Sequence, residues 1–175
     1  MGRMILITAA TGHLGRHVVE ALLATLPPTQ LAVAVRDPHK AEDLAARGVA
    51  VRHADYDQPA TLRAAFAGAA KVLLISGNDL AGGRARQHRA AVAAAVEAGV
   101  PYLAYTSILG ADRATLGLAA DHRATEEAIA AAGIPHTFLR NGWYLENYTE
   151  NLGAALAHGA ILGAAGTGRV AAAAR

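Results

Sequence analysis

The first residues that could do chemistry form a short glycine-containing turn near the start of the chain. An apolar run, Met4–Ile7, precedes this turn, and a helical pattern begins at Leu14. Gly12 would let the backbone approach a bound group closely, and Gly15 would let the helix pack closely on a sheet. The helix N–H groups and dipole would then hold a pyrophosphate. The residues predicted to surround it are Ala9, Ala10, Thr11, Gly12, His13, Leu14 and Gly15.

A plain structural turn is the alternative interpretation of this segment, because glycine turns between strands and helices are common. Two features favour dinucleotide binding. The apolar run begins at the fourth residue of the chain, and a complete βαβ pattern follows the turn. We therefore predict that a dinucleotide binds here.

The end of the second apolar run indicates which dinucleotide. A fold that selects NAD places an Asp or Glu there to accept hydrogen bonds from the ribose hydroxyls. Here Arg36 occupies the position, with Lys40 nearby, and a guanidinium group fits a 2′-phosphate. Asp37 comes next and could turn inward, and a solvated arginine in a turn is the alternative. The pattern predicts NADPH, bound by Arg36 and Lys40.

A small polar cluster follows the fourth predicted strand. Ser76, Gly77 and Asn78 occupy the next position along the edge of the sheet, where they would border the ribose and pyrophosphate. Because a similar cluster can follow any strand, only its place in the order of elements favours this role.

Polar and aromatic residues also leave the sixth predicted strand at the same edge. Asn141 could bind the nicotinamide carboxamide, and the rings of Trp143 and Tyr144 could form a wall for a flat apolar substrate. For Trp143 alone, we predict instead a core tryptophan beneath a loop. His53, His88 and His136 have no partners at metal-ligand spacing, so we predict no metal site.

The hydrophobic pattern predicts the elements that position these residues. After the first run, the predicted strands are Leu31–Val35, Val49–His53, Lys71–Ile75, Tyr102–Thr106 and His136–Arg140. The predicted helices are Leu14–Leu26, Lys40–Arg47, Pro59–Phe66, Arg84–Ala98, Ala119–Ala132 and Leu152–His158. Alternating strands and helices predict a Rossmann-like α/β fold, with a doubly wound parallel sheet in three layers.

The alternation stops after Arg140. We therefore predict an NAD(P)-binding domain over residues 1–140, followed over residues 141–175 by the beginning of a small substrate lobe. We expect the two to form a single structural domain overall.

Composition narrows the class of protein. The chain has 175 residues, of which 53% are hydrophobic and 17% charged, as expected of a globular domain. The net charge is +2 and the arginines are scattered, so we expect no nucleic-acid partner. The chain has no cysteine, signal peptide or run long enough to span a membrane, so we expect a cytoplasmic protein.

Several motifs together resemble the NmrA-like group of atypical short-chain dehydrogenases/reductases, and within it the bacterial type-two NADPH:quinone oxidoreductases. The matching stretches run in order over most of the chain: Ala10–Gly15, Val35–Pro38, Ala54–Tyr56, Lys71–Ser76, Gln87–Arg89, Ala104–Ser107 and Leu139–Tyr144. The resemblance implies that Asp55 lies near the adenine amino group, although ordinary turn chemistry is an equal alternative. It also implies that Arg140 and Asn141 contact the cofactor.

The chain departs from the family pattern in two places. Ala9 stands where the family has the first glycine of its turn, and we predict a negative φ there, because Gly12 and Gly15 still allow the close approach. The family also normally continues well beyond Arg175, so the resemblance covers the cofactor half and only the beginning of the substrate lobe.

The catalytic residues of typical short-chain reductases are only partly present. Those enzymes use a serine at the end of the fifth strand, which corresponds to Ser107, and a Tyr and a Lys four residues apart on the next helix. Here Leu118 and His122 stand at the Tyr and Lys positions, so the usual proton donor is missing. His122 could hydrogen-bond the nicotinamide ribose or donate a proton, and a surface histidine is the alternative.

The missing tyrosine favours a particular reaction. Reducing a ketone creates a basic alkoxide and needs an acid, whereas reducing a quinone creates a delocalised and far less basic anion. Positioning the quinone against the nicotinamide can then supply most of the catalysis. The resemblance thus implies NADPH-dependent reduction of a small-molecule quinone, without flavin or metal, with Ser107, His122 and Tyr144 as catalytic residues.

Two other functions remain open. A non-catalytic NADP(H)-binding redox sensor of the NmrA type would lack the same tyrosine, and a shortened chain could bind the cofactor poorly and do nothing. We also expect Trp143, Tyr144, Tyr148 and Leu152 either to form an exposed apolar patch or to be covered by a second copy of the chain. Large exposed patches are uncommon on monomers, so we expect a homo-oligomer.

Overall fold

A single six-stranded sheet forms the centre of the structure. The computed structural model describes residues 4–79, 81–150, 152–161, 163 and 166–174. The strands are β1 Ile5–Thr8, β2 Leu31–Val35, β3 Ala50–His53, β4 Lys71–Leu74, β5 Leu103–Ile108 and β6 His136–Asn141. They are parallel, in the order β3-β2-β1-β4-β5-β6. This is the strand order of the dinucleotide-binding Rossmann fold, so the predicted fold class is confirmed.

Helices connect the strands and cover both faces of the sheet. They are α1 His13–Leu23, α2 Glu42–Ala46, α3 Pro59–Phe66, α4 Arg84–Glu97 and α5 Gly117–Ala131, with short 3₁₀ turns at Pro28–Gln30 and Pro38–Ala41. Neighbouring residues of β1 enter different cores, because successive side chains of a strand point to opposite faces. Leu6 packs in the core that contains residues of α3, α4 and α5, and Ile7 packs in the core that contains residues of α1 and α2.

The central strands are buried on both faces, as a parallel sheet requires. Every residue of β2, whose sequence is Leu-Ala-Val-Ala-Val, is buried. β1 lies between β2 and β4, and Ile5 pairs with Leu31 on one side and with Lys71 on the other. The strand order therefore reverses between β1 and β4, and ligands of doubly wound folds bind at the carboxyl end of such a switch point.

The observed boundaries differ from the predicted ones mainly at element ends. β2 and α3 have the predicted bounds, but α1 ends at Leu23 instead of Leu26. The helix does not continue to Leu26, because a residue directly before a proline, here Pro27, disfavours the helical conformation. The predicted helix Lys40–Arg47 is divided between the 3₁₀ turn and α2.

Residues Asn141–Arg175 form a compact unit separate from Met1–Arg140. Within it, β7 Trp143–Tyr144 pairs in parallel with β8 Ala172–Ala173, and the helices are α6 Glu146–Thr149 and α7 Leu152–His158. Large apolar side chains of this unit are exposed, namely Trp143, Leu145, Tyr148, Leu152, Leu156, Ile161 and Val170. The predicted core position of Trp143 is therefore wrong. Among the residues that the structure describes, no helix is long and apolar enough to cross a membrane.

Candidate functional site

The turn between β1 and α1 places Ala9 in the left-handed region of the backbone, with a φ of +49°. The predicted negative φ at Ala9 is therefore wrong. The chain reverses direction between the end of β1 and the start of α1, and the Ala9 carbonyl turns to accept a hydrogen bond from Gly12 N–H at 3.0 Å. The structure keeps the conformation that a glycine would adopt freely, although it is strained for alanine.

The two glycines of the turn have different roles. Gly12 lies just before α1 in an extended conformation with a φ of −78°, and an added Cβ there would lie 3.3 Å from the Ala9 carbonyl oxygen. At Gly15, an added Cβ would collide with that same oxygen and lie 2.7 Å from Ala10 Cα. Gly15 is thus required for the close packing of α1 against the turn, as the sequence predicted.

The N-terminus of α1 is open toward an anion. No side chain caps this helix, and its first turn contains no acidic residue. The first N–H groups of a helix have no acceptor within the helix, and the positive end of the helix dipole lies there. Because β1 adjoins the switch point, these groups lie where a dinucleotide pyrophosphate binds in this fold.

Arg36 leaves the carboxyl end of β2 as an exposed side chain. In the described part of the chain it makes no hydrogen bond or ion pair, so its guanidinium group is available to a ligand. Its neighbour Asp37 is already engaged, because its carboxylate accepts a hydrogen bond from His39 N–H at 3.1 Å and caps the following 3₁₀ turn. Lys40 is also exposed.

Asp55 stabilises the turn after β3. Its carboxylate accepts hydrogen bonds from Asp57 N–H at 3.0 Å and from Gln58 Nε2 at 3.2 Å. These contacts match the turn chemistry given above as the alternative, and the adenine contact stays a prediction. The Asp57 carboxylate in turn accepts from Arg86 and Gln87, and together with nearby Arg36 they lower its pKa.

Two side chains of α4 form hydrogen bonds with the backbone of Gly77, in the segment after β4. Gly77 N–H donates to His88 Nε2 at 2.9 Å, and the Gly77 carbonyl accepts from Arg84 Nε at 2.8 Å. Ser76 N–H donates to Thr106 Oγ1 at 2.9 Å, which joins this segment to β5. Asn78, the third predicted residue of this cluster, is exposed.

A second set of polar contacts joins β1 to β4 at the switch point, and no sequence pattern indicated these contacts. The Thr8 hydroxyl accepts a hydrogen bond from Ile75 N–H at 2.8 Å, and the Tyr56 hydroxyl donates to the Ile75 carbonyl at 2.7 Å. Burial raises the pKa of Tyr56, so this hydroxyl stays protonated. These contacts join the ends of β1 and β4 and the turn after β3 to one another.

Ser107 lies inside β5, near its carboxyl end, and is buried. Its Oγ has no hydrogen-bond partner among the described residues. The nearest charged group is the Glu126 carboxylate. Burial raises the pKa of Glu126, but hydrogen bonding from Arg140 and Ser107 outweighs it, and the net pKa is below its ordinary value. The Ser107 Oγ thus lies close to this carboxylate without a hydrogen bond of ordinary length and angle. An unpaired buried hydroxyl is costly unless a ligand supplies the partner.

His122 is buried on α5, so the surface alternative does not apply. Its Nδ1 lies 2.7 Å from the Tyr105 hydroxyl. Burial lowers the pKa of His122 to about 4, and the positive charge of Arg84 contributes to the shift. His122 is therefore neutral at pH 7 and is a poor source of a proton.

Arg140 has protein partners in the structure. Its guanidinium group donates two hydrogen bonds to Glu126, at 3.0 and 2.7 Å, and forms an ion pair with Asp112 at 3.3 Å. Its predicted contact with the cofactor stays a prediction. Within the second unit, Asn141 Nδ2 donates to the Tyr144 hydroxyl at 2.9 Å. No cluster of three or more His, Asp or Glu suited to a metal ion occurs among the described residues.

Comparison with known proteins identifies the family. A family model described as NAD(P)H-binding matches residues 9–172, which is most of the chain. The chain belongs to this NAD(P)H-binding family. The predicted resemblance to its NmrA-like members is confirmed, since one relative, 39% identical over 107 residues, is an NmrA-like family domain-containing oxidoreductase of Aspergillus flavus. That match covers 59% of this chain and 34% of the relative.

Members of the NAD(P)H-binding family with higher identity are reductases. The chain is 52% identical to quinone oxidoreductase 2 of Escherichia coli over 98% of its own length and 60% of that protein. The chain thus spans about three fifths of that relative. The structure of an E. coli NADPH-dependent quinone oxidoreductase with NADPH matches with a TM-score of 0.86, over 93% of this chain and 57% of that one, at 52% identity.

Another similar solved structure is that of a reductase named for a different class of compound. The triphenylmethane reductase of Citrobacter sp., complexed with NADP(H), is 44% identical and matches with a TM-score of 0.86. The match covers 93% of this chain and 58% of that protein. Both solved complexes contain the phosphorylated dinucleotide.

Proposed function

We propose that this chain binds NADPH at the carboxyl edge of its sheet and forms the cofactor half of a quinone reductase. The observation that carries the proposal is the pairing of an uncapped α1 N-terminus with an exposed Arg36 at the end of the neighbouring strand, where it makes no hydrogen bond or ion pair with the described residues. The first suits a pyrophosphate, and the second suits a 2′-phosphate.

The residues present fit NADPH at three points. The N–H groups at the start of α1 would hold the pyrophosphate, and Arg36 with Lys40 would hold the 2′-phosphate. The buried Ser107 hydroxyl, which makes no hydrogen bond of ordinary length and angle among the described residues, would receive a partner from the nicotinamide end. Asp37 does not oppose this arrangement, because its carboxylate caps the adjacent turn.

The properties of His122 support quinone over ketone reduction. When bound, NADPH supplies a hydride. A ketone would also need a proton from an acidic group, whereas a quinone yields a weakly basic anion. His122, with its pKa lowered to about 4 by burial, can offer a hydrogen bond but not a readily released proton at pH 7. The identity with E. coli quinone oxidoreductase 2 supports the same substrate class.

The proposal predicts turnover with a simple acceptor. NADPH oxidation should be followed by absorbance with and without a benzoquinone, and with NADH as the matched control cofactor. We expect oxidation that depends on the quinone and is faster with NADPH than with NADH. NADPH binding without any quinone-dependent oxidation would contradict the enzymatic proposal and favour an NADP(H)-binding regulator.

A further inference from the structure

A buried hydrogen-bond network joins β5 to the helices α4 and α5, and the function proposed above gives most of its members no role. It consists of His88 on α4, Tyr105 on β5, and His122 and Thr125 on α5. All four side chains are at most 6% exposed. Tyr105 and Ser107 are two residues apart on β5, so they point to the same face of the sheet. The network therefore lies on the Ser107 side of the strand.

The backbone N–H of Gly77 determines which atoms of the network donate hydrogen bonds and which accept them. A backbone N–H can only donate, and Gly77 N–H is 2.9 Å from His88 Nε2. The Nε2 atom of His88 must therefore be the acceptor, and the ring proton of this neutral imidazole lies on Nδ1. Burial lowers the pKa of His88 to about 3, which agrees with a neutral ring.

The hydroxyl of Thr125 on α5 accepts the next hydrogen bond of the network. Its hydroxyl donates to the Asp121 carbonyl at 2.8 Å, and a carbonyl can only accept. The hydroxyl is therefore free to accept from His88 Nδ1, which lies 2.9 Å away. The opposite arrangement at His88 would place two N–H groups face to face at Gly77, with no acceptor for either of them.

Two ring nitrogens lie within hydrogen-bond distance of the Tyr105 hydroxyl, and only one of them can accept its proton. Its hydroxyl lies 3.3 Å from His88 Nδ1, which is a donor, and 2.7 Å from His122 Nδ1. Burial raises the pKa of Tyr105, so the hydroxyl keeps its proton and donates it to His122. The remaining proton of a neutral His122 must lie on Nε2.

We propose that His88 and Tyr105 are positioning residues that hold His122 as a neutral imidazole with its proton on Nε2. No protein group among the described residues accepts a hydrogen bond from this nitrogen. Resting on the function proposed above, this assigns His122 a defined role. It offers an N–H donor to a carbonyl oxygen of the substrate, where negative charge develops, and it does not act as an acid.

The tautomer can be measured without cofactor, substrate or turnover, so its test is independent of the proposed function. The chain would be labelled with ¹⁵N in histidine, and long-range ¹H–¹⁵N correlation spectra at neutral pH would distinguish Nδ1–H from Nε2–H. His122→Gln identifies the His122 signals by their loss. We expect His122 as the Nε2–H form alone. The Nδ1–H form, or an average of both forms, would overturn the proposal.

Tyr105→Phe removes the hydroxyl that selects the tautomer. We expect His122 in this variant to become a mixture of the two neutral forms. Tyr102→Phe is the matched control, because it removes a hydroxyl bonded to Thr137, away from both buried histidines. An unchanged His122 in Tyr105→Phe, or an equal change in Tyr102→Phe, would overturn the proposal. The wild-type spectrum decides it alone if Tyr105→Phe does not fold.

Discussion

At the scale of single residues, the turn before α1 depends on two small residues, Ala9 and Gly15, which restrict substitution for different reasons. Ala9 adopts a φ of +49°, a conformation that costs an L-residue roughly 1–2 kcal/mol. Gly15 has a negative φ but no space, because an added Cβ would meet the Ala9 carbonyl and Ala10 Cα. Strain at Ala9 and crowding at Gly15 therefore arise from the same turn.

Substitutions at these positions should shift stability in opposite directions. Ala9→Gly relieves the backbone strain but increases the entropy of the unfolded chain, which leaves an expected gain of about 0.5–1 kcal/mol in the free energy of unfolding. Gly15→Ala should lower that free energy, because backbone atoms cannot move aside easily. Urea unfolding of both variants measures the two changes. A loss of stability in Ala9→Gly would show that the turn is not strained.

The sequence could predict the roles of Gly12 and Gly15, since their spacing is set by the shape of a strand-to-helix turn. It could not predict the conformation of Ala9. Alanine normally prefers negative φ, and only the complete turn shows that its carbonyl must rotate to meet Gly12 N–H. The same limit applies to Ser107, whose unpaired hydroxyl depends on which neighbouring side chains have other partners.

At the scale of elements, α4 and α5 each place a histidine behind β5. The burial of His88 and His122 could not be predicted from the sequence, because their partners come from three separate elements and leave no periodic pattern. Burial lowers the pKa of His88 to about 3 and that of His122 to about 4, with Arg84 contributing to both shifts. The folded protein thus keeps both rings neutral.

These lowered pKa values predict a loss of stability in mild acid. Between the ordinary histidine pKa of about 6.5 and the folded values, the unfolded chain binds protons that the folded chain does not. The free energy of unfolding keeps its full value above about pH 6.5 and decreases as the pH falls toward about 4. The slope is up to roughly 1.4 kcal/mol per pH unit for each ring.

Urea unfolding at pH 7 and pH 5 tests this expectation. The wild type should be less stable at pH 5, and His122→Gln should lose less stability between the two pH values because one of the two rings is gone. Equal losses in the two proteins would contradict the assignment of a lowered pKa to His122.

Element types were predictable because strands and helices differ in hydrophobic period. The bounds of β2 and α3 were predicted because apolar residues and prolines mark them sharply. The end of β5 was less clear, since the strand continues through polar Ser107 to Ile108. A polar residue that lines a ligand site has the same appearance in sequence as a residue just beyond the strand.

At the scale of the whole molecule, the reversal of strand order between β1 and β4 brings the separate features together. The α1 N-terminus, the Gly77 segment and the Arg36 side chain leave different strands, yet all lie at the carboxyl ends of a parallel sheet. The alternation of strands and helices predicted this edge. The chain spans about three fifths of its E. coli relative.

The measurement that tests the central claim most directly is the affinity of the chain for NADPH and NADH, before and after Arg36→Ala. A 2′-phosphate held by Arg36 should contribute roughly 1.5–3 kcal/mol, which is about a 10-fold to 150-fold difference in Kd. Fluorescence or calorimetric titration of wild type, Arg36→Ala and the control Arg63→Ala, an exposed arginine on α3, provides the comparison. We predict that Arg36→Ala weakens NADPH binding by this factor, leaves NADH binding nearly unchanged, and that Arg63→Ala changes neither. Equal weakening of both cofactors by Arg36→Ala would contradict the account, because Arg36 would then not recognise the phosphate.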